Sequence, residues 1–160
     1  MREDLVGALT IATAVGAGLM AGFFYAFSVC VMKALGRLPA PQGVAAMQSI
    51  NVTVIRPAFL TVFLGAGAAC LLLTIDSLLR WQGPGSVLLL GGSLLYLLGV
   101  ILVTILFNVP RNERLAVVDP ASSEAARLWR DYLIVWTAWN HVRTAASLAA
   151  AVALALAASG

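Results

Sequence analysis

Charge is scarce in this chain. Of its 160 residues 11% are charged and 61% hydrophobic, with one histidine and two cysteines. So little charge excludes an ordinary soluble domain. One histidine, no nearby carboxylate pair and no cysteine cluster leave too few ligands for a zinc or iron site. Nucleotide chemistry lacks its glycine-rich phosphate loop. Serine hydrolysis lacks its G-x-S-x-G elbow, although Ser28 and Cys30 are nucleophiles by type. No basic stripe or recognition module points to nucleic acid. Cys30 and Cys70 fall in apolar runs, where they read as small packing residues and not as a structural disulfide. No internal repeat is visible. Gly91-Gly92 is the only glycine pair within an apolar run, which gives weak support to the broken helices of a transporter.

Four long hydrophobic runs cover residues 5–32, 57–79, 86–107 and 133–158. Each suffices for a helix across about 30 Å of hydrocarbon, which takes about 20 residues. They are too long and too uniformly apolar for strands. The fold expected is all-α: an integral membrane four-helix bundle in one domain over residues 1–160, with short amphipathic helices in the two long loops. The first run is a poor signal peptide. Its leader Met1-Arg2-Glu3-Asp4 is as acidic as basic, and its apolar stretch is about twice the usual length. The net charge is +3. Lys33, Arg37, Arg56, Arg111, Arg114, Arg127, Arg130 and Arg143 gather at loops one and three, against Arg2 and Arg80 on the other side. The positive-inside rule then puts those loops in the cytoplasm and both termini outside a plasma (inner) membrane.

Gly18 and Gly22 form a G-x-x-x-G step that admits a close neighbour. The alanine-rich run from Ala145 to Ala158 suits the same purpose. Packing within one chain is expected, with a homo-oligomer as the alternative. Pro39 and Pro41 are expected to end the first helix. Residues 42–50 read as an amphipathic helix with Val44, Met47 and Ile50 on one side. Arg56-Pro57 opens the second span. Trp81-Gln82-Gly83-Pro84-Gly85 reads as a tight turn. The third span should stop at Phe107-Asn108, because Val109 precedes a proline. Asp119-Pro120 looks like an N-cap and first helical residue. The helix it opens either runs on into the fourth span or breaks near Asp131.

Polar residues converge on the loop end of the bundle: Asn51, Arg56, Asn108, Asn112, Asn140, His141 and Arg143. Ionisable groups inside hydrocarbon are functional candidates by default. On an ideal helix Trp136, Asn140, Arg143 and Ser147 share a face. Thr137, His141 and Thr144 form the adjacent stripe, and Trp139 lies one turn from Arg143. Blander readings stand beside this. Arg143 could snorkel to the interface. Trp129, Tyr132, Trp136 and Trp139 could be an aromatic belt. Asn108 could cap a helix end, and His141 could be a packed histidine. Yet buried polar groups need partners, and these are one another's nearest. Together they offer a base, His141, and donors for a developing anion in Arg143 and the asparagines. Phe23, Phe24, Tyr25, Phe27 and Phe59 would form an aromatic wall. That pocket suits a flat, lipophilic, weakly acidic substrate arriving from the lipid. Asp76, near the opposite face, gives weak support to a proton relay towards His141. Haem held by His141 and Met47 has no motif behind it.

Four segments resemble the anthrone oxygenase-like family of small four-helix membrane proteins. They are Phe27-Ser28 through Met32-Lys33-Ala34-Leu35, Met47-Gln48-Ser49-Ile50-Asn51, Phe107-Asn108-Val109-Pro110-Arg111-Asn112 and Trp139-Asn140-His141-Val142-Arg143-Thr144. The resemblance implies an enzyme that oxidises an anthrone with dioxygen and no cofactor. His141 would remove the acidic proton, while Asn108, Asn140 and Arg143 hold the enolate oxygen. Asn51, Asn112, Trp136, Trp139, Tyr25, Phe24, Phe59 and Arg56 would bind the substrate. The alternatives are a non-catalytic lipid- or quinone-binding or assembly protein, and a haem or metal redox protein using His141.

Overall fold

In lipid a backbone must satisfy its own hydrogen bonds, and long apolar runs do so as helices. The computed structural model describes residues 2–81 and 83–159. Met1 of the leader, Gln82 of the expected turn and Gly160 lie outside the described residues, as do the side chains of Arg2 and Pro84. The helices are α1 (Glu3–Leu35), α2 (Ala40–Val54), α3 (Pro57–Leu79), α4 (Gly85–Ala116) and α5 (Ser123–Ser159). All but α2 are long and apolar enough to cross a membrane, and the described residues contain no strand. Helices α1 and α4 each pack between α3 and α5, closing a four-helix ring. Helix α2 folds across one end, against α4 and the start of α5.

Two apolar cores result. One fills the ring around Met20, Phe63, Cys70, Tyr96 and Leu154. The other lies under α2 and joins Val44, Met47, Leu115, Trp129 and Tyr132. Close packing uses glycines other than the G-x-x-x-G pair. Gly18 and Gly22 face outward with nothing near them, whereas Gly99 meets Ala146 and Gly92 meets Leu154 and Ala153. The alanine-rich run does turn inward, with Ala146 and Ala150 buried. Cys30 is exposed, Cys70 buried, and both are free.

Several expected boundaries shift. Helix α1 stops at Leu35, before either proline, and Pro41 instead sits in the first turn of α2. Helix α4 does not stop at Asn108. A π turn at Thr104–Asn108 leads straight into the α-helical segment Val109–Ala116, with Pro110 in its first turn. There the missing N–H costs little, and Arg111 Nη1 donates to the Phe107 carbonyl at 2.6 Å. The cap of α5 is Ser122, whose Oγ accepts from Ala125 N at 3.1 Å, rather than Asp119. Asp119 makes a local turn, accepting from Ala121 N at 3.0 Å. Of the two alternatives left open for α5, the continuous one holds: the helix runs unbroken through Asp131, with a π turn at Tyr132–Trp136 just beyond it. The second long loop therefore holds no separate helix, and its amphipathic segments extend α4 and α5.

Helix α2 is seated through Gly43, whose backbone lies against the Trp129 indole. A Cβ there would meet three ring atoms at 2.9 Å. Trp129 is only 2% exposed and has little room to yield. Gly43→Ala is expected to destabilise the fold by ~1–3 kcal/mol, the usual cost of overpacking, read as a lower thermal unfolding midpoint in detergent.

Candidate functional site

Between the two cores lies a polar layer. Helix α5 supplies it through one buried stripe, Trp136, Asn140, Arg143 and Ser147, the face expected from helical spacing. Asn140 is fully buried and ties α5 to α1. Its Nδ2 donates to the Phe24 carbonyl at 2.7 Å and to Ser28 Oγ at 2.8 Å. Its Oδ1 accepts from Arg143 Nη2 at 2.7 Å. Arg143 Nη1 reaches across to Thr104 Oγ1 on α4 at 3.3 Å. The guanidinium lies 4.4 Å from the Phe24 ring centroid and 5.1 Å from that of Trp136. Ser28 and Thr144 close the layer at 3.2 Å. Helix α1 passes the layer through another π turn, Phe27–Val31. Such turns recur at functional sites.

Arg143 is 6% exposed, its Nε has no hydrogen-bond partner, and no ion pair among the described residues involves it. Aromatic faces and amides soften this burial but do not neutralise the charge. Beside it opens a cavity of about 380 Å³, bounded by α1, α2, α3 and the α2-side ends of α4 and α5. Its aromatic wall is built of Phe23, Phe27, Phe59 and Trp136, with Phe23 centred 5.0 Å from both Phe27 and Phe59. Asn112 presents its Oδ1 to Tyr132 Oη at 2.7 Å and to Trp136 Nε1 at 2.8 Å. Asn51 also lines the cavity; its Nδ2 lacks a hydrogen-bond partner although Tyr132 is adjacent.

The structure thus gathers Arg143, Asn51, Asn112, Trp136, Phe24 and Phe59 around one space, with Asn140 directly behind Arg143. Asn108 is buried but stands behind the wall, donating to the Trp136 carbonyl at 3.2 Å while its Oδ1 is unpaired. Besides Asn140 and Asn108, four further expected residues lie off the cavity wall. His141 is exposed on the outer surface of α5. With Asn140 aimed at α1, the next residue is rotated by about 100° on a 3.6-residue helix and leaves the interior. Trp139 lies on the flank opposite His141, stacked on Phe107 at 3.7 Å. Tyr25 is 57% exposed, one residue beyond the inward Phe24. Arg56 is exposed at the start of α3. His141 and Met47 are not brought together: His141 is exposed on α5, whereas Met47 is a buried residue of α2 that lines the cavity. Among the described residues no three of His, Cys, Asp and Glu come together as a metal site.

Three contributors escaped the sequence reading. Thr104 sits in an unremarkable apolar run. Gln48 Nε2 ties α2 to the carbonyls of Leu115 and Val118 at 2.8 and 3.0 Å. Glu113 looks like solvated charge, yet it lines the cavity.

A family model described as anthrone oxygenase matches residues 50–153, well over half of the chain. No curated protein and no solved structure matches it. The matched region includes every polar residue of the layer except Ser28.

Asn140 holds the layer together. Asn140→Leu strands the Arg143 Nη2 donor in an apolar interior and leaves the Ser28 hydroxyl with Thr144 alone, an unmet buried group costing ~1–3 kcal/mol. A loss of that size is expected in unfolding titrations in mixed micelles, whereas His141→Ala, on the outer surface, should leave the midpoint unchanged.

Proposed function

The chain belongs to the anthrone oxygenase family, and we propose that it is a membrane oxygenase that converts an anthrone-like, planar phenolic substrate to the quinone with dioxygen. One observation supports this most directly: a buried guanidinium without a counter-ion on the wall of an apolar, aromatic-lined cavity. A lone buried charge is costly. A ligand that becomes anionic as it reacts turns that cost into selective stabilisation of the charged state.

The reaction follows from this arrangement. The substrate enters from lipid and lies flat among Phe23, Phe27, Phe59 and Trp136. Loss of its acidic proton leaves an enolate, whose oxygen faces Arg143. Asn140 holds Arg143 in place from behind, and so does Thr104. The electron-rich carbanion centre reduces dioxygen. Oxygenation at that carbon, with loss of water, then gives the second carbonyl, so that CH₂ and O₂ become C=O and H₂O. Neither a haem nor a metal is assigned a role. The end of the bundle carrying α2 faces the cytoplasm by the excess of Lys and Arg there.

Oxygen uptake with emodin anthrone, by purified protein in detergent, tests the reading. Wild type should consume oxygen, and a chelator should not slow it. Arg143→Met should reduce the rate by ~10²–10³-fold, the usual loss for an oxyanion donor, while His141→Ala retains it. No oxygen uptake, together with a co-purifying lipid or quinone, would leave the cavity as a binding site without chemistry.

A further inference from the structure

Removing the substrate's proton requires an acceptor, and the imidazole of His141 points away from the cavity. The wall consists of hydrocarbon and aromatic side chains, amides, Thr104, the Trp136 indole and the Arg143 guanidinium, with one exception. Among the described residues, Glu113 is the only carboxylate on it. We propose that Glu113 is the catalytic proton acceptor, an assignment that rests on the oxygenase reading.

The placement suits the chemistry. In an anthrone the carbonyl oxygen and the acidic carbon lie on opposite edges of the central ring. The anion-stabilising group and the base must therefore face each other across the bound substrate. Thr104 marks the level of Arg143 on α4, 3.3 Å away. Glu113 lies nine residues further along that helix, about 13 Å at 1.5 Å per residue. Its side chain leans back towards the helix N-terminus, over the cavity. The two groups do not pair with each other, so each is available to the substrate. Arg143 is buried at the inner end, while Glu113 is exposed, and a proton taken up there has a route to water.

The step balances without an oxidant. The bond from the acidic carbon to hydrogen breaks, and the proton goes to a Glu113 carboxylate oxygen. The electron pair is delocalised through the ring onto the carbonyl oxygen beside Arg143. Dioxygen enters only afterwards.

Because this step precedes oxidation, it can be read without air. Emodin anthrone in D₂O under argon should exchange its acidic hydrogens faster with wild-type protein than without, by proton NMR. Glu113→Gln should lower that exchange, and aerobic oxygen uptake with it, by ~10²–10⁴-fold, the range of a general base. Anthrone binding, followed by quenching of tryptophan fluorescence, should persist. Glu113→Asp, which keeps the carboxylate on a shorter arm, should recover part of the exchange; this second variant guards against a Gln substitution that fails to fold. Oxidation and exchange at wild-type rates in Glu113→Gln would overturn the assignment and leave the oxygenase reading standing. A wild-type protein that binds anthrone but neither exchanges nor oxidises it would overturn both.

Discussion

The bond from Arg143 to Asn140 is the contact on which the rest of the site depends. A guanidinium inside a membrane bundle needs donors satisfied and charge screened, or the helix that bears it would shift towards water. Asn140 accepts from Arg143 and donates twice to α1, so one amide fixes a cation, a backbone carbonyl and a hydroxyl. Thr104 brings in α4. Three helices are thereby locked in register at the level of the cavity, and the aromatic faces of Phe24 and Trp136 take up part of the remaining charge. The unpaired Nε is what the lattice leaves over.

Local helix geometry serves the same end. Helices α1, α4 and α5 all pass this layer through π turns, at Phe27–Val31, Thr104–Asn108 and Tyr132–Trp136. Each wide turn takes up an extra residue and changes which side chains face inward. In α4 it also lets the helix resume with Pro110 in a first turn, so that Asn112 and Glu113 are delivered to the cavity instead of to a loop. Helix α2 covers the open end, seated on Trp129 through Gly43 and held by Gln48. A stable ring in the lipid and a capped end near the surface leave one space between them.

Within that space the division of labour is electrostatic. The polar layer sits on one side and apolar rings on the other, the combination on which the proposed flat, anion-forming substrate rests. The lone histidine, a residue type suited to proton transfer near neutral pH, lies outside that space because of its angular position on α5.

The sequence alone determined the class of the protein and much of the site's membership. Long hydrocarbon runs admit only helices in lipid, and a 3.6-residue period places Trp136, Asn140, Arg143 and Ser147 on one face wherever that helix packs. Asn112 and Asn51 were legible because polar residues converge at the loop end of the spans, in segments that resemble the family. Tertiary structure decided which flank of each helix looks inward, and so excluded His141, Trp139 and Tyr25. It also admitted Thr104 and Glu113, whose surroundings come from other helices. A period fixes angles between residues of one helix; only the neighbours, and the π turns that shift the phase, fix where zero lies.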